Sequence, residues 1–299
     1  MKSLITGGTG FVGGVLQEHL RALGEDVVAL GRADGGDVTD RDGLTESIAR
    51  VQPEVIFHLA AQSHVPTAWE DPITTLRCNV EGTMNVLDAA YSAGTRRVVI
   101  ASSADVYGAV SAEDLPLGED SATQPKNPYA GSKLAAEAVA LQSFHGRGQD
   151  VIRVRAFNHI GPGQSPRFVC AGLAQRIAAA ERDDLNTIET GRLDVRRDFC
   201  DVRDVVAAYR LIAESGRPGA VYNVCSGTDR SIEDIALALA ERSAQTLQFV
   251  PQEDLTRTID SPIMRGDASA LRRDTGWEPM IPFETTLDDV LDDARRRLA

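Results

Sequence analysis

The chain contains few cysteines, and those it has stand alone. Cys78, Cys170, Cys200 and Cys225 are scattered singly, with no metal-ligand spacing between them. Isolated cysteines are typical of small buried side chains in a reducing compartment rather than of a disulfide framework. The pattern argues against a disulfide-stabilised scaffold and against a cysteine-bound metal.

The sequence also lacks long apolar runs and clusters of basic residues. No run approaches the length that spans a membrane, and the formal net charge is −13. Without a basic cluster, such a chain is not expected to bind nucleic acid. The N-terminus enters an apolar strand directly, with no charged-then-apolar leader. We therefore expect a soluble, cytoplasmic protein with neither a nucleic-acid nor a membrane partner.

Short β-branched runs alternate with segments of helical periodicity through the first half of the chain. The predicted strands are Ser3–Thr6, Asp26–Leu30, Val55–Leu59, Val98–Ala101 and Val151–Ala156. Apolar residues at helical spacing predict helices between them, including a long one over Asp71–Ala93 and another that begins near Tyr129. Strand alternating with helix predicts a parallel sheet with right-handed crossovers.

Three glycines, three residues apart, lie between the first strand and the first helix. Gly7 allows a tight turn, Gly10 lets the backbone approach a pyrophosphate, and Gly13 permits close packing of helix and strand. The helix that starts at Phe11 and Val12 then offers free N–H groups to an anion. This turn predicts a dinucleotide site. Its other expected contacts are Asp37 and Val38, beneath the adenine, and the small residues Leu59, Ala60 and Ala61.

The end of the second strand indicates which nicotinamide cofactor binds. An acidic side chain there accepts from the ribose 2′-hydroxyl of NADH, whereas an arginine suits the 2′-phosphate of NADPH. The sequence has Leu30-Gly31-Arg32 at this point, with no acid until Asp34. We therefore predict NADPH as the preferred cofactor, with NADH as the alternative.

Tyr129 and Lys133 lie four residues apart on a predicted helix, so their side chains share one face. A phenol with an ordinary pKa of ~10 is a poor acid–base catalyst at neutral pH. The neighbouring ammonium is expected to lower the pKa of Tyr129. The same lysine is also a predicted cofactor contact, because it can hold the nicotinamide ribose. Ser103 follows a predicted strand at the edge where open α/β sheets bind ligands. Together the three residues predict proton transfer at a substrate oxygen beside the dinucleotide.

The regular alternation of predicted strands and helices ends after residue 157. Val205–Ala213 and Val221–Val224 are interpreted as a return to the sheet, and the last 69 residues predict three helices. We predict an α/β fold, a Rossmann-like doubly wound parallel sheet with a smaller, mostly helical C-terminal substrate domain. The assigned ranges are 1–157 and 191–226 for the dinucleotide-binding domain, and 158–190 and 227–299 for the nucleotide-sugar-binding domain.

A family resemblance covers essentially the whole chain. Its N-terminal motifs are TGGTGFVG, HLAAQS, NVEGT, SSADVYG and PYAGSK, in that order. They resemble the extended short-chain dehydrogenase/reductases that act on nucleotide-diphosphate sugars. The C-terminal blocks are RAFNHIGPGQSPRFV, GRLDVRRDFCDVRDVV, VYNVCSG and RGDASALRRDTGWEP. These blocks look most like those of GDP-4-dehydro-6-deoxy-D-mannose reductases.

The resemblance implies an activity and a set of site residues. The expected reaction is NAD(P)H-dependent reduction of the C4 ketone of GDP-4-dehydro-6-deoxy-D-mannose to a GDP-6-deoxyhexose such as GDP-D-rhamnose. The implied catalytic residues are Ser103, Tyr129 and Lys133. The implied substrate contacts are Ser103, Asp105, Tyr129, Asn158, Arg197 and Arg257. Arginine suits the diphosphate because its planar fork donates two hydrogen bonds.

Three alternatives stay open at this point. A GDP-mannose 4,6-dehydratase shares the fold but needs a carboxylate base, and Asp105 stands where such enzymes carry glutamate. A 4-epimerase of nucleotide sugars is the second alternative. The third is a nucleotide-binding sensor that has lost the chemistry, although such proteins usually lose the tyrosine or the lysine. Members of the family commonly form homodimers, and the helices over Asp71–Ala93 and after Tyr129 are the expected interface.

Overall fold

The structure is a computed structural model that describes residues 1–252 and 261–299. Those residues contain twelve β-strands and eleven α-helices. The strands are β1 (Lys2–Thr6), β2 (Asp26–Leu30), β3 (Val55–His58), β4 (Arg97–Ala101), β5 (Val151–Ala156), β6 (Asn158–Ile160), β7 (Thr187–Thr190), β8 (Arg196–Asp201), β9 (Val221–Val224), β10 (Asp229–Ser231), β11 (Gln248–Pro251) and β12 (Ile263–Met264). The helices are α1 (Phe11–Ala22), α2 (Arg41–Val51), α3 (Val65–Glu70), α4 (Pro72–Leu76), α5 (Gly82–Ser92), α6 (Pro128–Arg147), α7 (Val169–Asp183), α8 (Val202–Ser215), α9 (Ile232–Ala240), α10 (Ser269–Thr275) and α11 (Phe283–Leu298).

Six parallel strands form the central sheet, in the order β2-β1-β3-β4-β5-β9, which confirms the predicted parallel sheet. Thr6 at the end of β1 lies beside Leu30 of β2 and His58 of β3, so these strands end at one edge. The chain runs from β1 outward to β2 and then crosses to β3 on the other side. A crevice at such a reversal is where open α/β sheets bind ligands.

Helices cover both faces of the sheet. Neighbouring residues of one strand face opposite sides, so Ile5 packs in the core beneath α1 and α8 while Leu4 packs in the core beneath α2 and α5. Burial on both faces explains why β3 and β4 are nearly continuous runs of apolar residues. The result is a rigid platform whose carboxyl edge carries the loops considered below.

Helix α6 begins at a position that its capping residue fixes. The Asn127 side chain accepts a hydrogen bond from the Ala130 N–H at 2.7 Å, and Pro128 occupies the first helical position. The first turn therefore holds Tyr129, and Lys133 follows one turn later on the same face. Gly148 ends the helix in the left-handed conformation that glycine favours.

The single helix predicted over Asp71–Ala93 is wrong in detail. Asp71 caps α4, accepting from the Thr74 N–H at 2.9 Å, but the helix then widens into a π-helical turn over Arg77–Glu81 before α5. Asn79 in that wide turn bonds the backbone N–H and C=O of Gln62 at 2.8 and 2.9 Å. Widened turns of this kind occur frequently at functional sites. Apolar periodicity cannot report the extra residue.

Val205–Ala213 was predicted to return to the sheet as a strand, and this is wrong. The segment belongs to α8, whose first turn is capped by Asp201 through the Arg203 N–H at 2.8 Å. Its buried residues recur at helical spacing and pack against the sheet. The strand predicted at Val221–Val224 is confirmed as β9, the edge strand beside β5.

The remaining elements form a smaller assembly with its own apolar core. Strands β10, β8 and β12 form a small sheet to which β6 adds through β8, and β7 pairs with β11. Helices α7, α9 and α11 pack together around a separate cluster of buried side chains. The three predicted C-terminal helices are confirmed. Ser231 and Asp234 form the capping box of α9, with bonds of 2.9 and 3.0 Å.

Two negative observations hold for the part of the chain that the structure describes. Within residues 1–252 and 261–299, no helix combines the length and apolarity needed to cross a membrane. Over the same residues, no group of three or more His, Cys, Asp or Glu side chains is placed to hold a metal ion.

Candidate active site

The glycine turn leaves the start of α1 open and brings two loops into close contact. Gly7 has a φ of +72°, and a Cβ there would lie 2.7 Å from the backbone nitrogen of Ala60. A Cβ on Gly13 would lie 2.3 Å from the Gly7 carbonyl oxygen. Gly10 is the N-cap of α1 and offers no side-chain cap, so the first N–H groups of the helix stay available to an anion. These residues fit a dinucleotide pyrophosphate.

Arg32 stands just beyond β2, at the edge of this groove. Its side chain is 81% exposed, and its Nε lies 3.7 Å from an Asp37 carboxylate oxygen. Asp37 itself accepts from the Thr39 hydroxyl and N–H at 2.7 and 3.0 Å, and these bonds hold the pKa of its carboxyl below the usual range. The Arg32 guanidinium is paired with Asp37 only at this longer distance, and its exposure allows it to turn toward a phosphate. Val38, next along the chain, is buried against α5.

The end of β3 supplies the other wall of the groove. His58 is buried, and its two ring nitrogens lie 2.8 Å from the Thr6 hydroxyl and 3.0 Å from the Thr83 hydroxyl. Burial first, and then the charge of Lys133, lower the pKa of His58 to about 3, so the ring is neutral. The following residues, Leu59 to Ala61, are half-buried and lie against the Gly7 turn.

Ser103 and Tyr129 meet at the end of β4. Tyr129 is 9% exposed, and a hydrogen bond links its phenol to the Ser103 side chain. The expectation that Lys133 lowers the pKa of Tyr129 is not met. Burial, followed by the nearby Asp105 carboxylate, raises that pKa well above its ordinary value and outweighs the Ser103 bond. Tyr129 is therefore a neutral, protonated phenol throughout the physiological pH range.

Lys133 lies one helical turn beyond Tyr129, with its Nζ 6.0 Å from the centre of the tyrosine ring. The ammonium donates a hydrogen bond to the Ala101 carbonyl oxygen at 2.7 Å. Burial lowers the pKa of Lys133 to about 8, against the opposing influence of Cys78 and Glu137. At neutral pH the side chain carries its charge, and it loses that charge as the pH rises through about 8.

Asp105 lies close to both Ser103 and Tyr129. It is half-exposed, and its backbone N–H donates to the Ser103 hydroxyl oxygen at 3.2 Å. Its carboxylate is near enough to Tyr129 to raise the pKa of the phenol. The carboxylate is thus close to where a substrate would meet Tyr129.

Of the other residues predicted to touch the sugar nucleotide, two are described. Asn158 opens β6, is exposed, and is paired in register with Phe199 of β8. Arg197 lies on β8, two residues before Phe199. Its side chain donates a hydrogen bond to the Arg196 carbonyl oxygen at 2.8 Å. Adjacent strands therefore bring the two predicted contacts to one small sheet. Arg257 lies outside the described residues.

Sequence reasoning missed the side chains that hold α6 in place. Glu137, one turn beyond Lys133, accepts from Arg155 and from Ser102. Ser132 accepts from the Asn79 amide at 2.8 Å and donates to the Tyr129 carbonyl oxygen at 2.7 Å. The spacing of Glu137, four residues after Lys133, was the one signal in the sequence that could have drawn attention to it.

A cavity of about 290 Å³ lies away from these residues, in the loops that follow β9 and β12. It is lined by Ser226, Arg265, Asp267 and Arg272, among others. Arg265 pairs with Asp229 at 3.2 Å and Arg272 with Glu278 at 3.0 Å. Both guanidinium groups are already matched by carboxylates. None of the predicted site residues that the structure describes lines the cavity, so we assign it no part in the chemistry.

The chain is similar to known proteins over most of its length. Residues 3–225 match the family described as "NAD dependent epimerase/dehydratase family". The chain is 39% identical to a GDP-6-deoxy-D-mannose reductase of Pseudomonas aeruginosa, over 98% of this chain and 97% of that protein. It is 33% identical to a UDP-glucose 4-epimerase of Mycolicibacterium smegmatis, over 94% of each. A solved structure of RMD from Pseudomonas aeruginosa complexed with NADPH superimposes with a TM-score of 0.92, at 39% identity, over 99% of this chain and 100% of that one.

Proposed function

Because this chain belongs to the NAD dependent epimerase/dehydratase family, we propose that it reduces the C4 ketone of GDP-4-dehydro-6-deoxy-D-mannose to a GDP-6-deoxyhexose such as GDP-D-rhamnose. It is an NAD(P)-dependent oxidoreductase. The observation that carries the proposal is the end-to-end similarity to a GDP-6-deoxy-D-mannose reductase, 39% over 98% of the chain. The protonated state of Tyr129 supports it, because reduction of a ketone needs a proton donor at the oxygen.

The reaction places separate demands on the three catalytic side chains. When bound, the nicotinamide cofactor supplies the hydride. Tyr129 donates its proton to the C4 oxygen as negative charge develops there, and Ser103 donates a hydrogen bond to the same oxygen. The buried Lys133 ammonium stabilises the phenolate that remains on Tyr129. Burial of Tyr129 and Lys133 keeps water away from these two groups and strengthens their interactions.

The cofactor is a nicotinamide dinucleotide, and NADPH is the preferred form. The Gly7 and Gly13 contacts and the open start of α1 fit the pyrophosphate. Phe11, Val12 and the groove residues Val38 and Leu59 to Ala61 complete the proposed contacts. Arg32, exposed and loosely paired, is placed to meet a 2′-phosphate, with Asp37 beside it. Dissociation constants for both cofactors test this choice, and tighter binding of NADH would overturn it.

The sugar nucleotide lies across the loops that follow β4 and β5 and the small sheet. Asn158 and Arg197 contact it, and Arg257 binds its phosphates or ribose. An arginine near the diphosphate is needed because the chain carries a net charge of −13, which repels a dianionic ligand.

We propose residues 1–157 and 191–226 as the dinucleotide-binding domain and residues 158–190 and 227–299 as the nucleotide-sugar-binding domain. The second range of the former also donates β8 to the small sheet.

One experiment tests the reaction itself. The protein is incubated with GDP-4-dehydro-6-deoxy-D-mannose and NADPH, and the product is identified by NMR. We expect oxidation of NADPH in step with formation of a GDP-6-deoxyhexose, and the NMR couplings then give the configuration at C4. No cofactor oxidation would contradict the reductase and favour a non-catalytic nucleotide-binding protein.

A GDP-mannose 4,6-dehydratase is the second candidate, because the Asp105 carboxylate lies beside Tyr129. Dehydration requires a base at the sugar C5 proton, and an aspartate here is one methylene shorter than glutamate. The discriminating measurement is incubation with GDP-mannose and oxidised cofactor. A reductase leaves GDP-mannose unchanged, whereas formation of the 4-keto-6-deoxy sugar would establish the dehydratase.

The chain forms a homodimer through an exposed apolar face on α3, α4 and α5. We define the apolar face as Trp69, Ile73, Leu76, Met84 and Tyr91, each between 42% and 61% exposed. Large exposed apolar side chains on consecutive helices are typical of a protein–protein interface. We expect light scattering to give twice the chain mass of 32.1 kDa. The double variant Ile73→Asp/Met84→Asp should behave as a monomer.

The matched control for that measurement is Met280→Asp. Met280 is 78% exposed and lies outside the apolar face, so this change should leave the dimer intact. A wild-type mass of one chain, or a dimer that survives the double variant, would show that the apolar face is not the interface.

The four cysteines are free and buried, and we place the enzyme in the cytoplasm, where NAD(P)H is available and thiols stay reduced.

A further inference from the structure

One face of α6 meets three consecutive residues at the end of β4. Tyr129, Lys133 and Glu137 follow one another at intervals of four and so lie in a row. Tyr129 bonds the Ser103 side chain, and Lys133 bonds the Ala101 carbonyl oxygen. Two members of the row are therefore assigned to the chemistry, and the third has no assigned role.

Glu137 is held more tightly than either of its neighbours in the row. It is 2% exposed, and the Ser102 hydroxyl donates to it at 2.5 Å. Arg155 of β5 forms a bidentate pair with it, from Nε at 2.9 Å and from Nη2 at 2.8 Å. Arg153 of the same strand lies 3.8 Å away. Charge-assisted, bidentate bonds fix geometry as well as adding energy, so Glu137 ties α6, β4 and β5 together.

We propose that Glu137 is a positioning residue for the reduction, which fixes the Ala101–Ser103 segment against α6 so that Ser103 and Lys133 stay in register with Tyr129. This inference rests on the proposed reductase function. Ser102 lies between Ala101, which Lys133 binds, and Ser103, which Tyr129 binds. A shift of Ser102 moves both of its neighbours, because they are joined to it by planar peptide bonds.

The same carboxylate also influences the charge of the lysine. The titratable groups that face Lys133 are His58 from β3, Cys78 from the wide turn, and Tyr129 and Glu137 from α6 itself. His58 is neutral, and Cys78 is a buried thiol with a raised pKa. Glu137 is then the anion that favours the ammonium form of Lys133 against the effect of burial.

Neutralising Glu137 should shift the protonation equilibrium of Lys133 toward the uncharged amine. Arg153 and Arg155 would remain in place without their carboxylate, and their positive charges would favour loss of the Lys133 proton. The pKa of Lys133, which burial already lowers to about 8, should then fall further. Because Lys133 is active in its charged form, the loss of kcat/KM at high pH should begin at a lower pH in Glu137→Gln.

The composition allows a direct measurement of that change. The chain has only three lysines, Lys2, Lys126 and Lys133. Labelling with [13C]lysine gives three side-chain signals whose shifts can be followed by NMR against pH, and Lys133→Met identifies the third. We expect Lys133 to titrate near pH 8 in the wild type and at lower pH in Glu137→Gln. This readout needs neither substrate nor cofactor.

The kinetic arm uses a matched control. Glu137→Gln should lower kcat by roughly 10- to 100-fold, as expected when reacting groups lose their alignment, and should shift the basic limb of the kcat/KM profile. Glu25→Gln is the control, since Glu25 is a buried glutamate paired with Arg210 at 2.9 Å at the start of β2, remote from the active site. It should change stability without moving the pH profile or the Lys133 signal.

Each outcome decides the proposal. A lower melting temperature for Glu137→Gln with an unchanged kcat, pH profile and Lys133 titration would overturn it and leave Glu137 a structural residue. If Glu137→Gln does not fold, Ser102→Ala removes the same bond from its other end and should still lower kcat, and an unchanged rate would contradict the proposal. A wild-type protein without turnover refutes the reductase function instead, while the lysine titration still measures the influence of Glu137.

Discussion

Replacing Tyr129 with phenylalanine should lower kcat by roughly 10²- to 10⁴-fold, the range typical of general acid catalysis. The change removes one oxygen from a side chain that is already buried. The pKa of Tyr129 is raised by burial and by Asp105, so the wild-type phenol is fully protonated at neutral pH and available to donate. Phenylalanine keeps the ring and its packing but supplies no proton. Steady-state rates of NADPH oxidation with the keto-sugar nucleotide measure the effect.

The same variant should bind cofactor nearly as well as the wild type. The residues proposed to hold the pyrophosphate lie in the Gly7–Gly13 turn, and Lys133 remains in place. Tyr91→Phe is the control, since Tyr91 is half-exposed on α5 and distant in sequence from the catalytic residues. Near-normal turnover of Tyr129→Phe would refute Tyr129 as the acid. Loss of cofactor binding would instead show that the substitution had disturbed the fold of the site.

Replacing Gly13 with alanine should greatly weaken cofactor binding and destabilise the fold. The added Cβ would lie 2.3 Å from the Gly7 carbonyl oxygen and 2.9 Å from the Gly8 Cα, distances that no relaxed structure tolerates. Both obstructing atoms are backbone, so the turn itself must move away from α1. Overpacking of this kind costs about 1–3 kcal/mol in stability. Moving the turn also displaces the N–H groups that meet the pyrophosphate, and we expect at least a roughly 10-fold larger dissociation constant for NADPH.

Gly14→Ala is a closely matched control for this prediction. A Cβ on Gly14 would meet nothing within 4 Å, and alanine favours a helix over glycine by roughly 0.5–1 kcal/mol. The neighbouring variant should therefore leave cofactor affinity unchanged and hold or raise the melting temperature. Equal losses of affinity in the two variants would show that the close approach at Gly13 is not the cause.

The sequence predicted those features that depend on local pattern. The strand over Val151–Ala156 was placed to the residue, because its β-branched residues are bounded on both sides by breaks in the pattern. The spacing of Tyr129 and Lys133 correctly predicted a shared helical face, since that relation follows from helix geometry alone. The capping box of Ser231 and Asp234 at the start of α9 is also a local pattern, because the two residues lie three positions apart.

Features that depend on tertiary structure were not predictable in this way. A short apolar run such as Val205–Ala213 fits a buried strand as well as a helix, and only its packing beside α1 settles the matter. The direction of the Tyr129 pKa shift depends on burial, which a spacing of four residues does not report. The bonds of Glu137 join Arg155 of β5, 18 positions away, and Ser102 just after β4, 35 positions away, so no local window contains them.

The row of Tyr129, Lys133 and Glu137 on α6 constrains the number of residues in two segments, Tyr129–Glu137 and Ala101–Ser103, more strongly than the identity of many residues within them. One residue inserted between Tyr129 and Glu137 would rotate the rest of the helix by about 100° and turn the later anchors off the face that meets β4. A residue inserted within Ala101–Ser103 would instead displace the residues that Tyr129, Lys133 and Glu137 contact. These segments should therefore diverge among relatives by substitution and not by insertion or deletion. The loop between Gly108 and Asn127 carries none of the three contacts, but its Glu119 carbonyl oxygen accepts a hydrogen bond from Arg155 at 3.0 Å and so helps to hold the partner of Glu137.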